Sequence, residues 1–111
     1  MAGVSLDPGA LTARLWLEQP VEMPDGQGGA VVTFEAVASL WCRIEPLAAR
    51  VEEVAGAETV TVTHRVWLRH RAGIASGMRF RKGLRLFVIR SLRDPDETGR
   101  LLLASVEEAG A

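Results

Sequence analysis

Residues 60–71 alternate without a break: Val60, Val62, His64, Val66 and Leu68 fall on one side, and Thr61, Thr63, Arg65, Trp67, Arg69 and Arg71 on the other. A period of two places successive side chains on opposite faces of an extended chain, so this stretch is a β-strand with one face turned to a core. Shorter stretches repeat the pattern. Leu15 and Leu17 oppose Arg14, Trp16 and Glu18, while Ala38, Leu40, Cys42 and Ile44 oppose Ser39, Trp41, Arg43 and Glu45. Turn residues punctuate them at Pro24-Asp25-Gly26-Gln27-Gly28-Gly29, at Gly73 and Gly77, and at Asp94-Pro95-Asp96-Glu97-Thr98-Gly99.

These signals predict a mainly β chain, a small antiparallel β-barrel or sandwich of about six strands. Expected strands are Ala13–Glu18 ended by Pro20, Ala30–Glu45 broken near Glu35-Ala36, Val60–Arg71, Met78–Lys82, Leu84–Leu92 and Arg100–Glu107. Pro46 is expected to stop the second region and open a short helix, because Leu47, Val51, Val54 and Ala55 follow helical spacing up to Gly56. At 111 residues the chain has the length of one domain, read here as residues 1–111 with an N-terminal arm at 1–10 and the loop and short helix at 46–59.

Charge is segregated along the chain. Between Val60 and Arg93 stand nine basic residues and no carboxylate: Arg65, Arg69, Arg71, Arg79, Arg81, Lys82, Arg85, Arg90 and Arg93. The flanking segments are net acidic, and the whole chain carries a formal charge of −1. Arginine suits bidentate pairing with carboxylate or phosphate. Three anionic partners suit such a face: its own acidic strands (Glu18, Glu35 or Glu45), the acidic face of a neighbouring copy, or a single-stranded nucleic acid with its backbone on Arg65, Arg69 and Arg71 and a base stacked on Trp67. Alternating acidic and basic segments at a pI near 6.1 favour the neighbouring copy, since free nucleic-acid binders are usually net basic.

The residues offer little to catalysis, cofactors or metals. His64 and His70 lie six residues apart on one strand, roughly 20 Å at strand rise, too far to share an ion. Cys42, the single cysteine, sits on a predicted inward face as a small hydrophobe. The pairs Glu52/Glu53 and Glu107/Glu108 point apart rather than converging. The glycines at 26, 28 and 29 lack the lysine and helix of a phosphate loop. No enzyme, cofactor or membrane role is indicated, and the lone cysteine fits a reducing cytoplasm.

Across nearly its whole length the sequence resembles the phage head-tail joining proteins, also called head-closure or stopper proteins, including those of gene transfer agents. The resemblance rests on Gly9-Ala10-Leu11-Thr12-Ala13-Arg14-Leu15-Trp16-Leu17-Glu18, on Asp25-Gly26-Gln27-Gly28-Gly29 and on Leu40-Trp41-Cys42-Arg43-Ile44-Glu45-Pro46. It continues in Thr63-His64-Arg65-Val66-Trp67-Leu68-Arg69-His70-Arg71, Gly73-Ile74, Gly77-Met78-Arg79-Phe80 and Asp94-Pro95-Asp96-Glu97. Cys42 departs from the small alanine common in the family, and Trp67 from a smaller strand residue.

The resemblance implies a small β-barrel without catalytic activity, made in the bacterial cytoplasm and carried in a virion or gene-transfer-agent particle. Such a subunit assembles as a ring, six- or twelve-fold, between a portal or adaptor ring above and a tail terminator or tail tube below. The ring extends and seals the DNA channel, touching DNA non-specifically. Arg65, Trp67, Arg69, Arg71, Arg79 and Arg81 are then expected at the subunit interface or channel. Leu47, Arg50, Val51, Glu52, Glu53, Val54 and Gly56 fall in the loop that reaches toward the channel in such proteins. An OB-like or SH3-like nucleic-acid-binding module is the alternative from another class.

Overall fold

The computed structural model describes residues 8–54 and 58–110. A 3-10 turn at Pro8–Ala10 leads into six strands: β1 (Ala13–Pro24), β2 (Ala30–Val54), β3 (Glu58–Arg69), β4 (Arg79–Lys82), β5 (Arg85–Arg93) and β6 (Leu101–Ala109). All pairings are antiparallel, and the sheet closes in the order β1-β2-β3-β6-β5-β4, with β4 returning to β1 through Trp16–Arg81, Leu17–Phe80 and Glu18–Arg79. The expected six-stranded antiparallel barrel is therefore the observed one.

Alternation places the core as expected. Leu15, Leu17, Val66, Leu68, Phe80, Phe87, Ile89 and Val106 fill the interior at 1% exposure or less. A six-stranded barrel is narrow, and its lumen is packed solid with side chains.

Two expectations fail for one reason. Pro20 does not end β1, which runs on to Pro24, and Pro46 does not end β2, which runs unbroken for 25 residues to Val54. No α-helix forms among the described residues of 46–59; Ala55, Gly56 and Ala57 lie outside them. In both places the chain pairs with a neighbour that the local signal does not reveal. Pro20 stands opposite Phe34 at the edge of a two-stranded ribbon, where a missing N–H is harmless. Pro46 stands opposite His64, Leu47–Ala49 form a bulge, and Arg50–Val54 pair with Glu58–Val62. A helix of barely two turns is marginal alone, and a strand continuing a long β3 offers a full ladder instead. The suspected break at Glu35-Ala36 is a bulge in which Val37 is the extra residue, between the pairs Glu18–Ala36 and Leu17–Ala38.

Two ribbons thus extend from opposite ends of β2. Gln19–Pro24 with Ala30–Glu35 form the first, closed by a turn in which Asp25 Oδ1 accepts the N–H groups of Gln27 (2.8 Å) and Gly29 (3.0 Å). Gly26 and Gly28 there adopt φ of 79° and 82°, open to glycine and strained for other residues. Arg50–Val54 with Glu58–Val62 form the second. They stretch the molecule to 54 Å against 31 and 27 Å in the other directions.

Candidate subunit-interface surface

The barrel's outer face divides the nine basic residues of the central segment into two populations. On β4, and on β5 as far as Arg90, each arginine has a carboxylate of its own chain. Glu18, only 6% exposed, accepts from Arg79 Nε at 2.7 Å and from Arg81 Nε at 2.9 Å. The Arg79 guanidinium also lies 3.7 Å from the Phe34 ring centroid, which ties the root of the first ribbon to β4. Burial pushes the Glu18 carboxyl up, but the hydrogen bonds and charges of Arg79 and Arg81 outweigh it and hold it below its ordinary value. Arg85 binds Glu108 through two bonds (2.8 and 3.1 Å), lowering that carboxyl as well. Arg90 binds Glu107 (2.7 Å). The adjacent glutamates do point to different partners.

Around β1, the barrel portion of β2, β3 and the end of β5 the outward arginines have no such partner. Arg14, Arg43, Arg65, Arg69 and Arg93 form no ion pair with any described residue. Strand register sets them side by side: Arg14 opposite Trp41, Arg43 opposite Trp67, Arg65 opposite Glu45, and Arg93 opposite Leu103. Among the described residues Arg71, just beyond β3, reaches only the carbonyl of Ala72 (3.5 Å), and exposed Lys82 forms no ion pair.

The structure accordingly separates the residues singled out from sequence. Arg65, Trp67 and Arg69 share the outer face of β3. Arg79 and Arg81 sit on another side of the barrel, engaged with Glu18, so these two realise the pairing across strands within the chain. Trp67 is half-buried beside Leu103, itself 2% exposed on the outer side of β6, and its indole N–H donates to Glu45 Oε1 (3.3 Å). It covers the outside of the sheet and is not a free stacking platform. The exposed indoles are Trp16 on β1, 44% accessible, and Trp41 on β2, 53% accessible, with the Arg14 guanidinium 5.0 Å from the Trp41 centroid. Sequence reasoning omitted Arg14, Trp41 and Arg43, although their signal was present: each alternates against a strand face assigned to the core.

In the second ribbon Arg50 is bonded to Glu52 (2.6 Å), Val51 is 70% exposed, Glu53 is exposed, and Leu47 and Val54 are half-buried. Gly56 lies outside the described residues. His64 packs edge-on against Phe87, its ring centroid 5.2 Å away, and His70 is exposed at the end of β3. Cys42 is fully buried, and burial pushes its thiol up to about 12.

Comparison with known proteins follows this geometry. A chain of the virion of a native gene transfer agent (GTA) particle is 26% identical, with a TM-score of 0.62 over 90% of this chain and 96% of that one. The solution structure of protein SF1141 from Shigella flexneri 2a is 22% identical, with a TM-score of 0.68 over 95% and 98%, a likeness of fold. No curated protein matches the chain. The family model of phage head completion proteins matches residues 6–109, the closed barrel and both ribbons included. On that match the chain belongs to the phage head completion protein family and is a structural component of a virion or virion-like particle.

Proposed function

We propose that this protein is the stopper of a tailed phage or gene transfer agent: a non-enzymatic subunit that forms a six- or twelve-fold ring between portal or adaptor and tail. The observation that carries the reading is the segregation of unpaired charge on a barrel with a filled interior. Because side chains fill the lumen, no DNA threads one barrel, and a channel has to arise between copies arranged in a ring. An outer face of arginines that form no ion pair with described residues, and net acidic ribbons on the same chain, suit head-to-tail contact between copies. Arg65, Arg69 and Arg71 are its basic side, and Arg43 and Arg14 join them. Channel DNA is a secondary, non-specific partner. The ribbon at 46–59, exposed at Val51 and Glu53, is the element that reaches toward the channel.

Light scattering at micromolar concentration, with and without DNA, tests this reading together with binding to assembled portal-adaptor complexes. A monomer that adds to those complexes in ring number supports the stopper. A monomer with salt-sensitive DNA affinity and no portal-dependent binding supports the nucleic-acid-binding module instead.

A further inference from the structure

The ribbon Gln19–Glu35 has neither the cover nor the charge balance of the barrel. It carries Glu22, Asp25 and Glu35 and no basic residue. Met23 and Val31, a cross-strand pair near its tip, are 51% and 52% exposed, and Val32 on the other face is 53% exposed. A two-stranded ribbon with both faces bare is marginal in water. Six residues beyond Glu18 give it a reach of about 20 Å at strand rise.

The barrel carries the complementary surface. Trp41 stands between two adjoining open depressions of about 430 and 210 Å³, the first lined by Leu11, Thr12 and Arg69, the second by Ser39, Leu68 and Arg69. Arg14 lies over the indole, and Arg43 follows on the same face of β2. The groove is therefore an exposed aromatic floor with an unpaired arginine rim.

We infer that the Gln19–Glu35 ribbon of one copy docks across the Trp41 groove of the next, with Met23 and Val31 against the indole and Glu35, on the same face of the ribbon, against Arg43 and Arg69. Thioether and branched aliphatic groups pack well on an indole. Carboxylates meeting arginines that otherwise have none add orientation and specificity. The occupant is a second copy because acidic ribbon and basic groove lie at different places on one chain. Such a contact is heterologous, repeats around an axis, and closes into a ring. This inference rests on the ring reading and specifies which surfaces form the ring.

The test is a charge exchange scored by copies per purified particle, measured by quantitative mass spectrometry. All three sites are exposed, and circular dichroism of each free variant checks that it folds. E35R and R43E/R69E are each expected to lower incorporation by about tenfold or more, because opposed like charges replace attraction at every interface. E35Q, which keeps side-chain shape, is expected to fall between these and wild type. Combining E35R with R43E/R69E in one chain restores incorporation to within about threefold of wild type. Normal incorporation of either reversed variant, or failure of the combination to exceed the weaker parent, overturns the docking. So does normal copy number with only DNA retention lost. Wild-type particles holding one or two copies overturn the ring itself, an outcome visible before any variant is compared.

Discussion

Replacing Glu18 by glutamine removes one charge and leaves the shape of the side chain nearly unchanged. In the wild type the carboxylate accepts from two guanidiniums at 2.7 and 2.9 Å while its own side chain is 8% exposed. The amide offers one oxygen, and its NH2 group faces the second arginine donor to donor. Charge-assisted bonds contribute roughly 1.5–3 kcal/mol each. The Arg81 side chain is 35% exposed, so its share is screened and sits at the low end. A loss of about 2–3 kcal/mol at pH 7 follows, equivalent to roughly 8–12 °C in Tm for a domain of this size. The sign of the pH dependence is set by the lowered carboxyl. Stability from Glu18 is fully present above its ordinary value of 4.5 and lost as pH falls through the lower folded value. Glutamine does not titrate, so the gap between E18Q and wild type closes in acid. Urea unfolding of the free chain at pH 7 and near pH 2.5 measures both ends. Equal midpoints at pH 7, or a gap of undiminished size in acid, would refute the argument and return Arg79 and Arg81 to the pool of arginines free for a partner.

Two further outcomes follow from the barrel and its ribbons. The Cys42 thiol, pushed up to about 12 inside the core, is expected to resist alkylation at pH 8 in the folded chain and to react at once in denaturant; rapid modification of the native protein contradicts its placement. Backbone amides of 50–54 are expected to exchange hydrogen at least about tenfold faster in the free chain than those of Val62–Leu68, since the ribbon lacks the core that holds β3; equal protection across β3 and the ribbon would show that the ribbon is covered already.

The sequence alone determined the fold class, the six strands and the core. It did so because a half-buried strand writes its burial into every second residue, as in Val62, Val66 and Leu68 or Leu15 and Leu17. It also determined the turns at Asp25–Gly29 and Asp94–Gly99, where residue type and backbone conformation are coupled locally. The charge segregation and the family resemblance were legible in the same way, since both are properties of order along the chain. What only the tertiary structure decided is pairing. Pro20 and Pro46 look like strand ends until Phe34 and His64 stand opposite them, and Leu47–Val54 look helical until Glu58–Val62 complete a ladder. The nine basic residues look like one surface until closure of β4 on β1 brings Arg79 and Arg81 to Glu18, sixty-one and sixty-three residues away in sequence. The same closure leaves Arg65 and Arg69, like Arg14 and Arg43 around Trp41, without an ion pair to any described residue. Alternation says which way a side chain points; the partner it meets depends on contacts between distant segments, and those exist only once the barrel has closed.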